Sequence, residues 1–179
     1  MNNICIWPDF IANSISTATP PDVPFVRNDW AGMAFDRNMY EDFAPDEVWG
    51  AWLRAMSEDA ANVALCAIRY SVYAEGGLPV RIEGGLKGLR SHWLENGNFL
   101  HDHFIFSSQG SWVVRLDQDV TLFAGNVAFL RRVIILLGGV ECVEKLMRRD
   151  FIGDAEDIVG LDLYVKGLIA PLKSSASSE

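Results

Sequence analysis

Between residues 101 and 124 three short apolar runs alternate with two tight polar breaks, and this arrangement constrains the fold more than anything else in the chain. His101 to Phe106 reads as a strand and Ser107-Ser108-Gln109-Gly110 as a turn. Ser111 to Leu116 reads as a second strand, Asp117-Gln118-Asp119 as a second turn, and Val120 to Ala124 as a third strand. Short polar turns between apolar runs make an antiparallel β-meander. Helical patterns flank the meander on both sides in sequence. The expected class is therefore α+β: a single domain over residues 1–172 whose sheet packs helices on one face, ending in a flexible polar tail at 173–179. A chain of 179 residues is long enough to bury a core without disulfides or a structural metal.

The flanking elements follow from their local chemistry. Ile4 to Trp7 reads as a short strand ended by Pro8, and Thr17 to Pro24, with three prolines, as an extended loop. Trp30 to Phe43 reads as a loop with one short strand, Gly32 to Asp36. Pro45 opens a helix whose first turn holds Asp46 and Glu47, where the helix dipole favours negative charge. Val48, Trp49, Trp52, Leu53 and Met56 then fall on one face. Ser57 reads as the next N-cap. From Ala60 to Glu75 the caps favour a buried central helix stopped at Gly76-Gly77, while the alternation of Ile68, Tyr70 and Val72 keeps a strand open. Leu86 to Glu95, Val127 to Leu137 and Val140 to Asp150 read as further helices, and Gly153 to Pro171 as a helix or a strand plus helix.

The ends and the cysteines bound the setting. The N-terminus has no basic segment followed by a sustained apolar run, so a cytoplasmic protein is expected. No apolar stretch reaches the roughly 20 residues that span a bilayer. Cys5, Cys66 and Cys142 are odd in number and far apart, which is no disulfide framework; buried small side chains are expected.

Charge is the more informative feature. The chain holds 24 acidic and 15 basic residues for a formal net charge of −9. Such a surface disfavours nucleic acid, whose phosphates require a basic face, and disfavours anionic membrane. The first 60 residues alone hold 10 acids and 3 bases. Asp29, Asp36, Glu41, Asp42, Asp46, Glu47, Glu58 and Asp59 are interleaved there with Trp30, Tyr40, Phe43 and Trp49. A solvated face accounts for such acidity. The sharper reading is a docking surface for a basic protein, because opposed potentials steer encounter and set partner choice.

Candidate catalytic groups are sparse. His92, His101 and His103 are all the histidines, and two residues apart on a strand places His101 and His103 on one face. Two imidazoles, with His92 as a third, could hold a metal or serve acid–base chemistry. Solvent-facing or core-packed histidines are the plainer account. Asp117 and Asp119 suit a turn better than a cation, because aspartate bonds its own backbone. Gly84-Gly85-Leu86-Lys87-Gly88 lacks both the P-loop ending and the dinucleotide spacing. No cofactor motif is present.

The stretch Phe104-Ile-Phe-Ser-Ser-Gln-Gly-Ser-Trp112-Val-Val-Arg-Leu-Asp-Gln-Asp119-Val-Thr-Leu-Phe-Ala-Gly125 resembles a pattern of small bacterial immunity proteins from polymorphic toxin and contact-dependent inhibition systems. A strand, a Gly-x-Trp turn and strand, an acidic turn and a further strand precede a helix there. The resemblance covers this hairpin segment alone and assigns no binding residue. It implies a non-enzymatic inhibitor that covers the active or substrate-binding site of a basic, nuclease-like toxin. Under that reading the partner-binding residues are Asp29, Trp30, Asp36, Glu41, Asp42, Asp46, Glu47 and Trp49, with the two tryptophans as anchors. The alternative is a small metal-dependent or acid–base enzyme built on His92, His101 and His103.

Overall fold

The computed structural model describes residues 7–16, 18, 22–59, 64–151 and 157–174. Among these residues, seven α-helices surround one six-stranded sheet. The helices are α1 (Trp7–Ser14), α2 (Asp46–Asp59), α3 (Tyr70–Ala74), α4 (Gly85–Leu94), α5 (Val127–Leu136), α6 (Val140–Phe151) and α7 (Ile158–Ser174). The strands are β1 (Trp30–Asp36), β2 (Leu65–Arg69), β3 (Val80–Ile82), β4 (His103–Ser107), β5 (Trp112–Leu116) and β6 (Val120–Asn126). Strand order is β1-β6-β5-β4-β2-β3, and every neighbouring pair is antiparallel. The α+β class is as expected, and the meander β4–β5–β6 forms the middle of the sheet.

The second turn of the meander shows why the chain reverses there. The Asp117 carboxylate accepts the Val120 N–H at 2.9 Å, so the side chain closes the turn. Asn126 performs the matching task at the end of β6. Its side chain accepts the Phe129 N–H at 2.8 Å and starts α5.

Helices cover both faces of the sheet, not one. Alternation along paired strands puts Phe35, Phe123, Trp112 and Val114 on the same face. There Trp49 and Trp52 of α2 meet the Phe123 ring edge-on at 4.8 and 5.0 Å, and Phe129 of α5 lies 4.9 Å from Trp52. Aromatic edge-to-face contacts of this kind add to simple area burial. On the opposite face Phe10 of α1 lies against Trp30 and Phe106. Tyr73 of α3 packs on Phe104 at 5.2 Å. A sheet buried on both faces explains the near-continuous apolar strands. At the β1 edge, the Ala34 N–H meets the Met147 sulfur of α6 at 3.3 Å, so that edge is covered.

Several local expectations are corrected. Trp7 begins α1 rather than ending a strand, and residues 4–6 lie outside the described residues. The strand at 32–36 starts earlier, at Trp30. Ser57 is not an N-cap: α2 runs through it, and its hydroxyl donates to the Arg54 carbonyl at 2.7 Å. Of the two readings of Ala60 to Glu75, the favoured helix gives way to the strand alternative at Leu65–Arg69, which is β2, followed by the short α3, with 60–63 outside the described residues. Gly153 to Pro171 resolves into helix from Ile158, and 153–156 lie outside the described residues. That helix continues through Lys173 and Ser174, and Lys173 donates to Glu144 of α6 at 2.9 Å. The rest of the expected tail, 175–179, lies outside the described residues. Cys66 is buried as expected, Cys142 is exposed, and Cys5 lies outside the described residues. Among the described residues no helix is long and apolar enough to cross a membrane.

Candidate functional site

The acid-rich connection from Arg37 to Pro45 leaves β1 at one end of the sheet and returns into α2. Arg37 fixes its course. Its guanidinium is buried and donates to the carbonyls of Asp117 (2.6 Å), Phe99 (2.9 Å) and His101 (3.1 Å), and to the Asp102 carboxylate at 3.3 Å. The same cation lies 4.8 Å from the Phe43 ring centroid. One side chain thus ties this connection to the β5–β6 turn and to the segment before β4.

Phe43 has a left-handed backbone, φ 65°, which is strained for a residue with a large side chain. Its ring is held between Arg37 and Trp93, the latter edge-on at 5.0 Å. This bend carries Asp42 inward. Asp42 is 5% exposed; its carbonyl accepts the Trp49 indole N–H at 2.8 Å, and its carboxylate accepts two N–H groups of Arg90 on α4. The bonded carboxylate also raises the Arg90 pKa.

Four of the proposed partner-binding acids come together. Glu41, Asp42, Asp46 and Glu47 line one depression of about 320 Å³, with Tyr40 and Arg90. Glu41, Asp46 and Glu47 are exposed, and Asp42 is neutralised by Arg90. Beneath the depression the Tyr40 hydroxyl donates to Asp150 at 2.7 Å. Burial pushes Tyr40 up to about 12 and also raises the buried Asp150 carboxyl.

The other four proposed residues do not join them. Asp29 is exposed and paired with Arg27 at 2.9 Å, and that bond lowers its pKa. Asp36 caps the 3-10 turn Arg37–Met39 by accepting the Asn38 N–H at 2.8 Å. The seven-residue β1 separates Asp29 from Asp36, roughly 20 Å at strand rise. Trp30 and Trp49 are 0% exposed and stand in the core on opposite faces of the sheet. Neither serves as a surface anchor. A tryptophan in an acid-rich run carries no signal of which way it points, and here the apolar body of each is needed beneath a helix.

The histidines are also rearranged. His101 lies before β4 and is exposed, so the shared strand face for His101 and His103 does not form. His92 instead meets His103 edge-on, with ring centroids 5.4 Å apart. Both are buried, and the Nε2 of each lacks a hydrogen-bond partner in the protein. Burial pushes His103 down to about 4 and lowers His92 as well. These are neutral core histidines. Among the described residues no group of three or more His, Cys, Asp or Glu side chains is placed to hold a metal ion. In the glycine-rich segment, a Cβ on Gly88 would stand 1.9 Å from the Glu83 carbonyl oxygen, so close packing of α4 accounts for that glycine.

Compared with protein-family models, curated proteins and solved structures, the chain matches none of them.

Proposed function

We propose that this protein is a non-enzymatic binding module that neutralises a basic, nuclease-like toxin by covering its active or substrate-binding site. The observation that carries this reading is the convergence of Glu41, Asp46 and Glu47, all exposed, on one concave surface. The cations nearby are already engaged. Arg90 binds Asp42, and Arg149 interacts with Tyr40 and Asp150. Arg90 also reaches the Asp46 carboxylate at 3.7 Å, but four carboxylates line the depression against that one cation, so it keeps a net negative charge of the kind a basic cleft attracts. The concentration of acids in the first 60 residues and the resemblance of the 104–125 hairpin to bacterial immunity proteins support the same reading.

The experiment is affinity capture from the source cells, followed by a nuclease assay on the captured basic protein. Stoichiometric loss of nuclease activity on adding this protein back supports the proposal. A captured partner whose activity is unaffected at molar excess contradicts it.

A further inference from the structure

Beside the acidic depression, the chain from Leu94 to Leu100 holds three apolar side chains out in solvent. Leu94 is 77% exposed, Phe99 45% and Leu100 72%. Singly, such residues are ordinary on a protein surface. These three are adjacent in space. Leu94 and Phe99 line one depression together with Glu41, and Phe99 and Leu100 line the next together with Asp102.

The segment is also rigidly supported despite its irregular backbone. Asn96 and Gly97 both take left-handed conformations, which break the helical path after α4. Asn98 turns inward, donating to the His92 carbonyl at 2.6 Å and accepting from Arg69 at 2.6 Å. Arg37 holds the Phe99 and His101 carbonyls from beneath. These clamps hold the backbone, so a partner that covers the three side chains orders their rotamers without having to order the segment that carries them.

We infer that Leu94, Phe99 and Leu100 form the apolar anchor ledge of the partner-binding face, and that its occupant is a basic protein segment carrying apolar side chains between its cations. The inference rests on the reading of the neighbouring acids as a docking surface. Charge complementarity identifies the occupant: Glu41 and Asp42 line the same depression as Leu94 and Phe99 against the one cation Arg90, and Glu95 is exposed at the end of α4, which leaves a net negative rim. Tryptophans are not the anchors; these residues take that role.

Two synthetic peptides of equal positive charge test this, one with leucines between its lysines and one with serines in their place. Titrations at low and high salt use the wild-type protein, Leu94→Ser/Phe99→Ser/Leu100→Ser, and Glu41→Lys/Asp46→Lys/Glu47→Lys, each shown to be folded by circular dichroism. The wild type binds the leucine peptide at least about tenfold more tightly, with amide shifts over residues 94–102. The ledge variant binds both peptides equally and keeps its salt dependence. Retention of the leucine preference in the ledge variant, or its absence in the wild type, overturns the ledge. Unchanged binding and salt dependence in the charge-reversed variant overturns the underlying acidic-surface reading instead.

Discussion

Arg37 is the side chain on which the candidate face most depends. It is almost fully buried, yet its partners are mainly carbonyls rather than carboxylates. Arg37→Met keeps the side-chain length and removes those bonds, leaving buried acceptors unpaired. The expected loss is about 3 kcal/mol of stability, measured by urea unfolding, with amide shifts at Phe43 and at residues 99–102. Trp52 is the corresponding apolar case. It touches Trp112, Phe123 and Phe129, so Trp52→Ala is expected to cost about 3–5 kcal/mol. By contrast Glu41, Asp46 and Glu47 are exposed. Reversal of Glu41 to lysine should cost about 0.5 kcal/mol or less, and reversal of Asp46 or Glu47 about 1 kcal/mol each because both stand in the first turn of α2, read as a lowered thermal midpoint. None of this hierarchy is visible in residue type alone. Arg37 sits in an acid-rich run like any solvated arginine, and the hydrogen-bond partners of its side chain lie 62 or more positions away in the chain.

At the scale of elements, local chemistry was most legible where a side chain or a tight turn decides the backbone. The 117–119 turn is read from a short motif because Asp117 bonds residues two and three positions on, and Asn126 caps α5 over the same short range. Asn126→Ala should therefore cost about 1 kcal/mol, seen as a lowered unfolding midpoint with unchanged denaturant dependence. The segment 60–75 reads first as a helix, with the strand left as the alternative, for a long-range reason. β2 lies between β4 and β3 with Cys66, Ala67 and Ile68 all buried, so it lacks the alternation that marks a half-exposed strand. Only its strand partners, distant in sequence, distinguish it from a buried helix. The β1–β6 pairing likewise joins residues about ninety positions apart, and the site inherits that problem. The cluster Glu41, Asp42, Asp46, Glu47 was legible because it is local. The ledge at 94–100 was not, since its nearness to Glu41 exists only in three dimensions.

For the whole molecule, pH and salt separate the core from the surface. His103 titrates at about 4 in the folded protein, against about 6.5 for an unfolded histidine. Between those values the unfolded chain binds the extra proton, so stability is complete above about pH 6.5 and falls as the pH drops toward 4. The contribution is on the order of 3 kcal/mol, with His92 acting in the same direction. Asp150 works oppositely just above the ordinary aspartate range, because its raised pKa lets the folded state hold the proton longer. Urea unfolding across this window should show a smaller loss in His103→Leu than in wild type; equal losses would contradict the buried neutral pair. Binding, in contrast, should depend on salt.

The most direct test of the central claim is capture from the source cells with the wild type and with Glu41→Lys/Asp46→Lys/Glu47→Lys, at low and high salt. The account predicts one basic protein held stoichiometrically by the wild type, weakened by salt and absent with the reversed variant. The same partner held equally by both, at either salt, would contradict it.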